Sequence, residues 1–498
     1  MLIYVFLVAT STLAQGRAAP SCQLPTIRLP FGNCSFPTAD QGRVYSTGIL
    51  LGAGPSDRFC GMVSTVVNSS LIQTSNVCSE EWLNVTSAGV EMTEEQCLSR
   101  RGGFLLRDDL PEASSVVRSS LSDLNPGWVN ITRNDTKEPF RYTEEFELKI
   151  KDNSVTMIGG LITQGQQHTM SHIGLAETST LLQSLKDEGL IAARSWGLDS
   201  GSQSVAAPRN GSLVLGGYDA SSFDGGWTTF PISRSNLVRK RHCPLQVLIT
   251  EMTFTVQVGD SKEQTETPVS GSNALIACIE PYDNKFRFPS HDIKYLKEML
   301  GHENSLVDPQ EPGLYNIEPS LVYDSSTKMN ISISFTIANG LSELIVEIPS
   351  HELVRPLRGL DPKGRPIANS SFTEVQVFAE EGVLDGPVLG KVFLSQLYLF
   401  VDYENSTFSL APQNTGGFSV DVKSSGSCPS EESLTKTEKG LIAVGVVLGV
   451  VLLGLGGYFS YRIWKLPLKN KEPNREQGDS DETDSAPRTP PISNADFD

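Results

Sequence analysis

The chain has 498 residues and a formal net charge of −18. No basic stripe interrupts this acidic balance, so nucleic acid is excluded as a partner. The histidines and cysteines nowhere fall at metal-ligand spacing, and neither a metal nor another cofactor is expected.

Taken in chain order, the first stretch is MLIYVFLVATSTLA, apolar and free of acids. Residues 1–18 read as a secretory signal peptide, cleaved after Ala14 or Ala18. Beyond it the chain is mostly strand. FELKIKDNSVTMI, GSLVLGGYD, VLITEMTFTVQV, MNISISFTI and TEVQVFA alternate in polarity or run β-branched between Gly, Asn and Asp turns. YLFVDYENSTFSLA reads as a hairpin, while TSTLLQSLKDEGLI and HDIKYLKEML carry helical spacing. Residues 19–412 form a mostly β ectodomain with room for two lobes, at about 40–220 and 221–412. Residues 413–439 read as a polar stalk.

Residues 440–461 are predicted to be one transmembrane helix. Leu441 to Tyr461 is a run of 21 residues without a charge, which spans about 31 Å, the thickness of a bilayer core. Arg462, Lys465, Lys469 and Lys471 follow it, against Lys436 and Lys439 before it, which places the C-terminus in the cytosol. The expectation is a type I protein of the plasma membrane or a secretory-pathway membrane, with its ectodomain outside. Gly445 and Gly449 form a GxxxG step that offers a dimer contact through the span. Residues 462–498 read as a disordered tail, with Ser480, Ser485 and Thr489 as candidate phosphorylation sites.

Nine Asn-X-Ser/Thr sequons lie before the span and none after it: Asn33, Asn68, Asn84, Asn130, Asn134, Asn210, Asn330, Asn369 and Asn405. All eight cysteines lie on the same side, where an even count favours disulfides.

The order of the segments resembles the pepsin-like aspartic peptidase family, especially its fungal, membrane-anchored branch. The resemblance covers about residues 40–415 and implies a bilobal, mostly β fold. HIGLAETSTLLQSLKDEGLIAARSWGL is similar to the family's Gly-Leu-Gly segment, helix and next strand. GSLVLGGYDASSFDGGWTTFPI is similar to the stretch before the second lobe. GPVLGKVFLSQLYLFVDYENSTFSLAP resembles the closing segment, where Val388-Leu389-Gly390 stands in place of an element that threads past the second active-site loop. CLSRRGGFLLRDDLPEASS resembles the stretch after a first-lobe disulfide. The resemblance implies a Cys78–Cys97 bridge and a Cys243–Cys278 bridge, and leaves Cys22, Cys34, Cys60 and Cys428 open.

The family's chemistry needs one aspartate per lobe, sharing a proton across a cleft and activating a water. Each sits in an Asp-Thr/Ser-Gly loop, and no such triplet occurs in this chain. In ALIACIEPYDNKFRFP, counting back from Phe288-Pro289 puts the second aspartate position on Glu280; counting forward from Ala274 puts it on Ala277. Glu280 is preferred, and Pro281 and Tyr282 then replace the hydroxyl residue and the glycine. In GAGPSDRFCGMVSTVVNSSLIQTSNVC the first aspartate position falls near Ser64, followed by Thr65, with Asp57 too early. Tyr142 is the candidate tyrosine of the flap, but no glycine follows it before Asp152. These three changes imply a scaffold without the chemistry, serving to bind or sense a peptide, protein or cell-wall ligand. The alternative is a cell-surface aspartic endopeptidase that cleaves proteins at acidic pH.

Overall fold

A computed structural model describes residues 24–37, 43–53, 57–73, 75–78, 92–103, 140–150, 152–162, 170–234, 243–301, 314–315, 321–340, 342–378, 386–416 and 419–426, with single residues 458 and 462. Met1–Cys428 forms one compact unit and Pro429–Asp498 a second. The signal peptide and, except for Tyr458 and Arg462, the expected span and tail lie outside the described residues. Among the described residues no helix is long and apolar enough to cross a membrane.

The fold is mostly β. A twelve-stranded sheet and a seven-stranded sheet carry it, with a four-stranded and a two-stranded sheet beside them. The strands form where period-two patterns allow one face to be buried. In Gln246–Val258, Val247, Ile249, Met252, Phe254 and Val256 are buried, and the residues between them are not. Each such apolar side chain contributes roughly 1.5–3 kcal/mol on burial. The alternation slips once, at a bulge between Ile249 and Glu251.

The expected helices are Thr180–Asp187 and Ser290–Met299. Ser179 starts the first, its side chain accepting from the Leu182 N–H at 3.2 Å. A third helix, Glu94–Arg101, opens on a Thr93/Gln96 capping box and stops at Gly102, whose φ of 78° a side chain would strain. The predicted hairpin is Leu397–Asp402 against Thr407–Pro412.

Two predicted boundaries shift. Ile27–Pro37 lies ahead of the expected first lobe yet pairs with both Arg43–Ala53 and Gly211–Leu215. Its Ile27, Leu29 and Phe31 are buried, and that alternation makes it a core strand. The stalk also begins later than residue 413. Val422–Ser424 pairs with Gly217–Asp219, so the chain is still folded onto the domain there. The closing hairpin, at 397–412, joins the twelve-stranded sheet beside Ser195–Asp199 rather than the second-lobe sheet.

The two disulfides that the resemblance implied are formed, Cys78–Cys97 and Cys243–Cys278. Cys34–Cys60 is a third, linking Ile27–Pro37 to Asp57–Ser64, the two strands that flank Arg43–Ala53. Cys22 and Cys428 lie outside the described residues. Of the sequons, Asn33, Asn210, Asn330 and Asn405 are exposed and Asn68 is half-buried. Asn369 is buried, and its Nδ2, where a glycan would attach, is shut off from solvent. Asn84, Asn130 and Asn134 lie outside the described residues.

Candidate functional site

Two corners of the fold are built alike. In the first, Asp57–Ser64 runs antiparallel to Arg43–Ala53 and parallel to Ser171–Gly174, with Ser64 opposite Gly174. In the second, Gln264–Ile279 runs antiparallel to Gln246–Val258 and parallel to Val388–Leu389, with Ile279 opposite Leu389. Glu280 is the next residue, so it stands opposite Gly390 as Ser64 stands opposite Gly174. The Leu175 N–H donates to the Ser64 carbonyl at 3.0 Å, and the Glu280 N–H donates to the Leu389 carbonyl at 3.2 Å.

Both facing glycines are required by the loops they thread past. A Cβ on Gly174 would lie 2.8 Å from backbone atoms of Val67 and Ser69. A Cβ on Gly390 would lie 2.3 Å from the Lys285 carbonyl oxygen. Any side chain would push the loop away.

Ser64, Thr65 and Glu280 are all buried. The Glu280 carboxylate reaches the other lobe. It accepts from the Thr65 N–H at 3.0 Å and from Thr65 Oγ1 at 2.7 Å, both on Oε2. The single proton of that hydroxyl has a second acceptor, the Ile279 carbonyl, at 3.2 Å. Oε1 accepts from the Tyr282 N–H at 3.1 Å. Pro281 has no N–H to give, so Tyr282 supplies the loop's own donor. Burial pushes the Glu280 carboxyl up to about 7, against the hydrogen bonds from Thr65 and Tyr282; Asp283 adds to the rise. The Asp283 carboxylate is itself engaged, by Arg287 Nε and by the Lys285 N–H at 3.2 Å.

Tyr282 fills the space beside this contact. Its ring stacks on His172 with centroids 3.8 Å apart and planes 8° apart. Its hydroxyl accepts from the Met170 N–H at 2.9 Å. Burial holds the His172 imidazole down at about 3, so it is neutral. A second-lobe residue thus rests on the first-lobe strand that threads past Ser64. Nothing in the spacing of the histidines pointed to His172.

The structure therefore brings Ser64, Thr65 and Glu280 together. Ala277 is inside the strand, paired with Val247, and is no loop residue. Asp57 pairs with Ala53 at the far end of its strand from Ser64. Tyr142 lies in the hairpin of Phe140–Ile150 and Asn153–Ile162, whose strands join between Ile150 and Asn153. Tyr142 pairs with Leu161 at the other end of that hairpin, so it does not occupy the hairpin tip; its side chain lies outside the described residues. Among the described residues no group of three or more His, Cys, Asp or Glu is placed to hold a metal.

The family model for eukaryotic aspartyl protease matches residues 152–413, more than half of the chain. No curated protein matches the chain.

Proposed function

Because the chain belongs to the eukaryotic aspartyl protease family, we propose that it is a non-catalytic member that keeps the two-lobed scaffold as a binding or sensing module. One observation carries this reading: the Glu280 carboxylate is spent on Thr65 and Tyr282, and Ser64 stands where the other lobe would offer a second carboxylate. A serine hydroxyl cannot share a proton at carboxylate pKa, so the acid and base roles have no pair to divide them. The acidic neighbour Asp283 belongs to the same loop as Glu280 and is paired with Arg287. With the apolar run at 441–461, the basic residues after it and the sequons before it, the protein reads as a type I surface glycoprotein. Its partner is a peptide, a protein or a cell-wall ligand.

A peptide-array screen with the full-length glycoprotein in detergent tests this. Peptides are expected to bind and to be recovered uncut, and Tyr282→Ala is expected to change the binding profile. Recovery of cut peptides contradicts the reading, and absence of any peptide binding strikes peptides from the partners it names.

A further inference from the structure

Eight ionisable side chains meet at a second place, the seam between the loop after Ser195–Asp199 and the second-lobe residues 350–360. Five are cations, Arg209, Lys285, Arg355, Arg358 and Lys391, and three are anions, Asp199, Glu352 and Glu374. The anions are already committed. Asp199 Oδ2 pairs with Arg209 Nη1 at 2.5 Å. Glu374 pairs with Lys285 and, at 3.3 Å, with Arg355. Glu352 accepts from Ser202 Oγ and lies 4.0 Å from His351 Nε2.

That leaves an excess of two positive charges inside a strongly acidic protein. Lys391 is 5% exposed, and its Nζ rests 4.3 Å over the Phe31 ring. Arg358 donates to the Gln203 carbonyl at 2.8 Å. Among the described residues neither has a carboxylate within ion-pair distance. Arg209 Nη2 is buried with no hydrogen-bond partner. A buried ammonium without an anion is costly, since the cation–ring contact replaces only part of its hydration.

We propose that this seam binds a small oxyanion of the phosphate or sulfate class, held by Lys391, Arg358 and Arg209. A dianion matches the excess charge, and guanidinium forks suit tetrahedral oxyanions. Without an anion, burial and the nearby Arg355 and Arg358 draw the Lys391 ammonium down to about 7, while Glu352 and Asp199 oppose the shift. The ligand would touch both sides of the seam and so favour the folded form by mass action. Free phosphate and a phosphomonoester on a larger molecule share this chemistry.

The test is thermal melting of the full-length protein in detergent, in chloride, phosphate, sulfate or glycerol phosphate at one ionic strength. Phosphate or sulfate is expected to raise Tm by about 2–4 °C over chloride. Lys391→Met and Arg358→Gln are each expected to lose that rise. If Lys391→Met fails to fold, Arg358→Gln decides, because Arg358 is only half-buried. A rise with glycerol phosphate as well assigns the site to a phosphate borne on a larger molecule; a rise with the inorganic ions alone assigns it to a free ion. Equal Tm in phosphate and chloride, or a full rise retained by the variants, overturns the proposal.

Discussion

Glu374→Gln is expected to destabilise the protein by about 3–5 kcal/mol, because it removes one partner of a buried charge group and leaves the others unpaired. Glu374 is fully buried, and it neutralises both Lys285 and Arg355. The amide can still accept a hydrogen bond, but it leaves two desolvated cations, with Arg358 and Lys391 close by. Asp361→Asn makes the control. Its partner Arg365 lies 2.6 Å away but is 60% exposed, so the loss there should be about 0–1 kcal/mol. Denaturant unfolding of both variants checks this. A loss for Glu374→Gln no larger than the control's would show that the group is not acting as a buried ion network.

The second large effect is a pH dependence with an unusual sign. The Glu280 carboxyl titrates at about 7 when folded and at 4.5 ordinarily. Between those values the native protein holds a proton that the unfolded chain has released. Stability from this group is therefore full below pH 4.5 and falls as pH rises through 7. The total is about 3 kcal/mol, at roughly 1.4 kcal/mol per pKa unit. Glu280→Gln keeps an oxygen to accept from Thr65 and cannot ionise. The variant is expected to match the wild type near pH 4, to exceed it near pH 8, and to lack the slope between. Unfolding free energies measured across that range check this, and an unchanged slope in Glu280→Gln would assign the pH dependence to other groups.

Much of the fold was legible because burial imposes a period. Met329–Asn339 alternates cleanly, Gln246–Val258 does so on either side of its bulge, and both predicted helices formed. Ile27–Pro37 was missed although Ile27, Leu29 and Phe31 alternate, since a proline and two turn-prone residues interrupt the stretch. The strand at 422–424 was hidden in a polar segment, where Val420 and Val422 are the only cue. The site was half legible. Ser64 and Glu280 could be placed only through the family resemblance, by counting to the positions where its loops carry aspartate. Thr65 gripping Glu280, and Tyr282 lying on His172, could not, because those contacts join residues more than a hundred positions apart. The anion seam has the same cause. Lys391 and Phe31 are distant in sequence, and only the packed lobes bring a lysine to an aromatic face without a carboxylate.

The most direct test of the central claim is an assay of cleavage by the folded, glycosylated full-length protein. Denatured protein serves as substrate from about pH 3 to pH 7, a range that spans the ordinary carboxylate pKa and the raised value of Glu280, with and without pepstatin. The account predicts no cleavage at any pH, because Ser64 provides no second carboxylate and Glu280 is held by Thr65 and Tyr282. Cleavage at acidic pH that pepstatin blocks and Glu280→Ala abolishes would contradict it.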